Sequence, residues 1–359
     1  MDKILLYAAV FLVIIGLVTV FSASSLIAKE SFGSQFHFLY KQAIFLLLGI
    51  LIALVVIRLD LKRLSPYSVP IVFVCIALLA AVFAFPSRND AHRWIIIGPF
   101  TLQPSELFKL AIIYYLAFSL SQKKRNIEDW RQLVFPYAPL IGTGILLIIF
   151  EPGLGSALTI TATVIVILFL AGMRLYHLAL FTVPLGAVAT FLIFVYGYKK
   201  ARVLDYLSAI QDPLAGSFQV KQAILAMGAG GLYGAGLGNG RQKMFFLPYP
   251  YTDFIYASIG EEFGFIGLCI ILLLFAVIVW RGIHIALYQP DRFGFLLAMG
   301  VTASIMIAVM INIGVVTTLL PTTGIPLPLI SYGGTALLVS IASIAILLNL
   351  SRRKGVIAR

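Results

Sequence analysis

The sequence predicts an all-α polytopic membrane protein: ten transmembrane helices, with a long outer loop between helices 7 and 8. Three observations carry that reading: an extreme apolar composition, ten apolar runs of spanning length, and a one-sided distribution of cations. Of 359 residues, 61% are hydrophobic and 11% charged, with a mean hydropathy of +1.04. Soluble domains carry about 45–50% apolar and about 25% charged residues. A soluble enzyme, a disordered chain and a disulfide-framework domain are thereby excluded.

Crossing the hydrocarbon core takes about 20 apolar residues. Runs suited to this lie near 4–26, 41–58, 66–85, 105–120, 134–150, 154–171, 175–197, 257–280, 293–318 and 335–350. The first has a basic start and is longer than a secretory signal core, so it is expected to be an uncleaved anchor. The fourth opens on Gln103-Pro104-Ser105-Glu106, where proline suits the first position of a helix. Glu151-Pro152-Gly153-Leu154-Gly155 divides the fifth from the sixth, since proline and glycine break a helix. Residues 1–359 are expected to form one membrane domain, with 198–256 as an extracytoplasmic loop within it.

With the N-terminus inside, the inner segments carry fifteen Lys and Arg, against four in the short outer loops. Both termini are therefore expected in the cytoplasm. The net charge of +12 then reflects cytoplasmic loops facing anionic membrane lipid rather than nucleic acid. Cys75 and Cys269 both lie in apolar runs, and the four histidines are scattered without metal-ligand spacing.

Four stretches are more polar, or richer in glycine and proline, than a connector needs, and all fall on the predicted outer face. In the first, Glu106 and Lys109 stand three residues apart on one helical face, near the positive end of the helix dipole. They form either a capping ion pair or a polar pair that orients a lipid headgroup. The second holds Glu151, a carboxylate between two apolar helices, which is costly unless paired or hydrated. The third is the glycine run Gly228–Gly240, followed by Arg241 and Lys243. Its backbone N–H groups can approach an anion, although it matches neither a Walker A loop nor a Rossmann fingerprint. Just beyond lies Asp253 at the edge of a helix, where burial would raise its pKa and suit it to proton abstraction. Glu261 and Glu262, two turns further in, demand a cation, a proton or backbone donors. The fourth runs from Pro321 to Thr335 and cannot be regular helix, because Pro326 and Pro328 interrupt it. It should be an irregular segment buried in protein or facing a cavity, with Ser331 and Tyr332 within reach of a polar substrate.

These motifs resemble the SEDS family (shape, elongation, division and sporulation). The matching pieces are Arg93-Trp94, Gln103-Pro104-Ser105-Glu106 with Lys109, Gly236-Leu237-Gly238-Asn239-Gly240, Leu247-Pro248, and Thr252-Asp253-Phe254-Ile255 with Gly260-Glu261-Glu262. Gly324-Ile325-Pro326-Leu327-Pro328-Leu329-Ile330-Ser331-Tyr332-Gly333-Gly334 completes the series, in family order over nearly the whole chain. One departure is the family's usual acid in Glu/Gln-Pro-Asp-Leu-Gly, which is Gly153 here, so no metal or substrate role is carried to that position. Short tails look more like the RodA branch than the FtsW branch.

The resemblance implies a peptidoglycan glycosyltransferase that polymerises lipid II, an undecaprenyl-pyrophosphate-linked disaccharide-peptide, at the outer membrane face during elongation. Asp253 would be the general base. Arg241, Lys243, Lys109 and a divalent cation, Mg²⁺ or Mn²⁺, would balance the leaving pyrophosphate. Arg93, Glu106, Glu151 and Ser331 join the substrate-binding set. An α-linked donor and a β-linked product imply inversion without a covalent intermediate. The implied partners are a class B penicillin-binding transpeptidase and other elongation-complex membrane proteins. Two rival readings are a lipid II transporter, which would place ionisable groups at mid-membrane, and a non-catalytic scaffold.

Overall fold

In the computed structural model, residues 1–86, 91–98, 100–122, 130–174, 176, 179, 183, 186, 200–212, 216–242 and 247–352 are described. Most of the predicted seventh span, the charged stretch 123–129, and Lys243 lie outside the described residues.

Helix α1 (Lys3–Phe32) starts where the Asp2 carboxylate accepts the Leu5 N–H, and it ends at Gly33 in the left-handed conformation. Helix α2 (His37–Arg58) follows. The third apolar segment, Leu61–Ala84, comprises a short α3 (Leu61–Leu64) capped by Asp60, a 3₁₀ turn, and α4 (Ser68–Ala81). Helix α5 (Pro104–Ser121) opens on its proline as expected. Helices α6 (Trp130–Phe150) and α7 (Leu154–Leu170) are separated by the predicted turn at Glu151-Pro152-Gly153. After two further helices come α10 (Ile255–Leu287), α11 (Arg292–Val316) and α12 (Gly334–Leu350).

Among the described residues, five helices are long and apolar enough to cross a membrane, and α7 and α12 are shorter apolar helices. The chain is a multi-pass membrane protein. Helix α11 is apolar around most of its circumference and is the most buried of the five. It packs against α5, α7, α10 and α12, while α2 lies along α12 and α1 along α10.

Two elements correct the purely helical expectation. Residues Ile95–Ile97 (β1) and Phe100–Leu102 (β2) pair as an antiparallel hairpin, with Ile95 opposite Leu102. Three isoleucines and a Phe-Thr-Leu triplet around Gly98 suit a short pleated pair better than a helix. The hairpin is pinned to the start of α12, where Thr335 Oγ1 donates to the Thr101 carbonyl and accepts the Gln103 N–H. The predicted loop 198–256 is also not loop throughout. It contains α8 (Lys200–Gln211) and α9 (Phe218–Gly230).

Helix α9 leads into the glycine run, which crosses α10 at unusually close range. A side chain on Gly264 would collide with the backbone of Leu232 and Gly234. Gly264 itself has φ 67° and ψ −167°, interrupting α10. The N–H groups of Phe265 and Ile266 are then satisfied by the carbonyls of Gly231 and Leu232. A helix broken at membrane depth persists only where such partners exist.

The segment from Pro321 to Gly333 is irregular, as its prolines require. Ile325, Leu327, Leu329 and Ile330 are buried, so the segment runs through protein rather than lipid. Gln42 of α2 donates to the Ser331 carbonyl, and Tyr332 N–H donates to the Tyr251 carbonyl.

Candidate active site

The short stretch Tyr249–Phe254 precedes α10 and carries Asp253. Nearly every carbonyl along it is held by a named donor. Ser258 Oγ donates to Pro250 O at 2.9 Å, Ser331 Oγ to Thr252 O at 2.7 Å, and Asn312 Nδ2 to Asp253 O at 2.8 Å. Such clamping fixes a backbone that has no helix of its own.

Asp253 is partly exposed in a cleft that encloses about 430 Å³ of empty space, lined also by Arg202, Tyr249, Asn312, Thr323 and Gly324. Gly324 has φ +76°, and a Cβ there would stand 3.4 Å from Asp253 Oδ2. Glycine thus gives the irregular segment its turn and keeps one face of the carboxylate clear. Burial raises the Asp253 carboxyl to about 6, against the opposing pull of the Arg93 and Arg202 guanidiniums. Two cations therefore act on one carboxylate from different parts of the chain. Arg202 comes from α8 and donates to the Thr322 carbonyl at 3.1 Å. Arg93 precedes the hairpin and donates to the carbonyls of Glu151 and Pro152.

Glu151 sits beneath Arg93 and is only 1% exposed. Burial pushes its carboxyl up to about 8, with Arg93 pulling the other way. Burial thus favours its neutral form over the carboxylate.

The Glu106–Lys109 pair forms as its spacing predicts, at 2.7 Å. It lines a second cleft of about 310 Å³ with Ser331, Pro326 and Pro328. The two clefts lie on either side of the irregular segment and share Ile325. Ser331 lines the second cleft, while its hydroxyl accepts the Leu327 N–H and donates to the Thr252 carbonyl. It therefore ties the two sides together.

The glycine run does receive an anion, but the anion is the protein's own. Glu261 Oε1 accepts the backbone N–H groups of Arg241 at 2.5 Å and Gln242 at 2.9 Å. Ala235 and Gly236 donate to the Glu261 and Glu262 carbonyls, and Ser22 Oγ donates to Glu262 Oε1 at 2.6 Å. One oxygen of each adjacent carboxyl group, Oε1, thus has a backbone or hydroxyl donor. Arg241 is exposed and lines neither cleft. The cations that act on Asp253 are Arg93, which the sequence had placed in the substrate-binding set, and Arg202, which it had not.

Sequence reasoning missed Arg202 and Asn312. A lone amide inside an apolar span was the available signal for Asn312, since buried polar groups there have a task. Nothing local marks Arg202.

A divalent cation would need several hard oxygen ligands. Among the described residues, no group of three or more His, Cys, Asp or Glu side chains is placed to hold one. The charges that act on Asp253 are those of the Arg93 and Arg202 guanidiniums instead. The described residues thus do not fit a protein-built metal cage.

The model of the FtsW/RodA/SpoVE cell cycle protein family matches residues 2–355. The chain belongs to the FtsW/RodA/SpoVE family. It is 41% identical to stage V sporulation protein E of Bacillus subtilis, over 98% of this chain and 97% of that protein. It is also 41% identical to the probable peptidoglycan glycosyltransferase FtsW of Geobacter metallireducens, over 98% and 95% of the two chains. Among solved structures, a chain of a peptidoglycan synthase complex that coordinates polymerization and crosslinking superposes with TM-score 0.79 at 27% identity, covering 98% and 97%. The rod shape determining protein RodA of Thermus thermophilus gives 0.71 at 26% identity, covering 98% and 97%. The FtsW/RodA/SpoVE fold therefore extends over essentially the whole chain, including the irregular segment and both clefts.

Proposed function

We propose that the protein is a peptidoglycan glycosyltransferase that polymerises lipid II at the outer face of the cytoplasmic membrane. The observation that carries this reading is Asp253, a carboxylate with its pKa raised to about 6, set in a cleft under the influence of two arginines. Extending a glycan from a lipid-pyrophosphate donor needs a base for the acceptor hydroxyl and fixed positive charge for the departing pyrophosphate. Asp253 takes the proton of the acceptor sugar's 4-hydroxyl as that oxygen attacks the donor's anomeric carbon. Arg93 and Arg202 stabilise the charge that gathers on the pyrophosphate as the glycosidic bond breaks. Both guanidiniums are anchored on backbone carbonyls, so little reorganisation accompanies the reaction. One displacement inverts the anomeric centre, and no covalent intermediate is required. A Mg²⁺ or Mn²⁺ ion, in this scheme, arrives on the substrate's phosphates rather than in a protein cage.

The Glu106–Lys109 pair and Ser331 line the neighbouring cleft, which we assign to the second lipid-linked chain. Glu151 supports the site through Arg93. The exposed Arg241 is assigned to the outer rim of the substrate path.

The cation bias of the sequence supports cytoplasmic termini and an outward-facing site. Among the described residues, the Asp, Glu, Lys and Arg side chains of the membrane-length helices lie within about two turns of a helix end. That placement supports chemistry at the membrane surface over transport through mid-depth. Within the family, the names of the relatives above favour the FtsW and SpoVE branches, division and sporulation, over an elongation role. The likeness to RodA rests on structure at 26% identity. Likeness to a chain of a peptidoglycan synthase complex supports work beside a class B penicillin-binding transpeptidase. Purified lipid II, incubated with the purified chain with and without that partner, tests the activity: glycan polymer is expected, and its absence in both cases contradicts the proposal.

A further inference from the structure

Asn312 is the only Asn, Asp, Gln or Glu along α11, and it is 2% exposed. Its Nδ2 donates to two carbonyls, Asp253 O and Ile325 O, each at 2.8 Å. Both amide hydrogens are thereby used, and turning the amide over would set Oδ1 against two carbonyl oxygens. The orientation is therefore fixed by chemistry. Oδ1 is left buried and has no hydrogen-bond partner. Thr323 Oγ1 is likewise buried without a partner. Both residues line the cleft that contains Asp253, and Gly324 between Thr323 and Ile325 leaves the carboxylate uncovered.

Buried polar atoms are nearly always hydrogen-bonded, so two orphans in one cleft mark a place where a ligand's polar groups belong. The chemistry of the pair narrows that ligand. Asn312 Oδ1 can only accept, so the ligand must bring an O–H or N–H. Thr323 can donate or accept. A cation is disfavoured, because Arg202 lines the same cleft. A neutral polyol fits, with one hydroxyl offered to Asp253 and its neighbour on the ring offered to these two oxygens.

We propose that Asn312 Oδ1 and Thr323 Oγ1 form an acceptor-sugar subsite that holds the hydroxyl adjacent to the one deprotonated by Asp253. This inference rests on the glycosyltransferase reading and specifies which half of the reaction the cleft serves. Asn312 and Thr323 hold the acceptor sugar, and Arg202, which lines the same cleft, and Arg93 stabilise the departing pyrophosphate. Correct placement of the reacting oxygen then depends on its neighbour, as proximity effects require.

The test uses the full chain, purified lipid II and steady-state polymerisation. Thr323→Val is nearly isosteric and removes only the hydroxyl. It should lower kcat/KM by about tenfold, the scale of one neutral hydrogen bond. Its melting temperature and the pH of half-maximal rate should match wild type. Asn312→Leu removes both the acceptor and the tie to Asp253, so it should lose more activity and shift the pH profile as well. Where Asn312→Leu fails to fold, Thr323→Val decides alone. In the double variant the losses should be less than multiplicative, because both groups hold one hydroxyl. A wild-type protein that polymerises lipid II beside a Thr323→Val variant within twofold of it overturns the subsite and leaves the glycosyltransferase reading intact. A wild-type protein without polymerisation both with and without the transpeptidase partner overturns the glycosyltransferase reading, and the subsite with it.

Discussion

Ser331 Oγ donates to the carbonyl of Thr252 at 2.7 Å, joining the proline-rich segment to the residue just before Asp253 across 79 positions of sequence. The same hydroxyl accepts the Leu327 N–H at 2.8 Å. One small side chain thus closes the turn of one segment and holds the backbone of another.

Replacing Ser331 with alanine leaves a buried carbonyl and a buried N–H without their partner. Such a loss costs about 1–3 kcal/mol for each group left unsatisfied. A lowered melting temperature in detergent is expected, together with reduced polymerisation, as the Asp253 backbone is released. A Ser331→Ala protein with wild-type melting and activity would show that neither bond matters.

The five clear spans among the described residues were legible in the sequence because length and apolar character are local properties, and the breaks at Pro104, Pro152 and Pro326 followed from backbone chemistry. The β1–β2 hairpin and helices α8 and α9 were not, since short elements in polar surroundings take their conformation from docking partners. Asp253 and the Glu106–Lys109 pair could be picked out from their immediate neighbours. The meeting of Arg93, Arg202 and Asn312 around Asp253 joins residues more than 200 positions apart, which no local spacing records. The glycine run looked like an anion cradle because its donors were visible while their acceptor, Glu261, was hidden in the fold.

Glu106 and Lys109 are mostly buried as well as paired, with side-chain exposures of 11% and 14%. Reversing either charge alone sets like charges together at low exposure and should destabilise the protein strongly. Reversing both should recover most of the melting temperature. Activity should not return, because the second cleft would then present its charges in exchanged positions. A double reversal no more stable than the single ones would exclude direct pairing as the main role.

The base at Asp253 gives the rate a rising pH limb centred at about 6. Burial raises this value and the two arginines lower it, so removing either arginine must move the limb to higher pH. Arg202→Gln should show this in the pH dependence of kcat/KM. A limb that stays in place, or moves to lower pH, would contradict an electrostatic link between the two residues.

Glu151 is protonated in the folded state up to about pH 8, well above the ordinary carboxylate value of 4.5. Between those values the folded protein holds a proton that the unfolded chain releases. The associated stability is fully present below about 4.5 and is lost as pH rises through about 8. Glu151→Gln should flatten the melting temperature over that window. An unchanged slope would show that Glu151 is ionised in the fold.

The most direct test of the account is polymerisation of purified lipid II by Asp253→Asn. Asparagine is almost isosteric and would still satisfy a purely capping role, but it cannot accept a proton from the acceptor hydroxyl. General-base catalysis contributes about 10²–10⁴-fold. The variant should insert, melt and bind its partner like wild type, yet make no detectable glycan polymer. Substantial polymerisation by a preparation free of other polymerases would contradict Asp253 as the base.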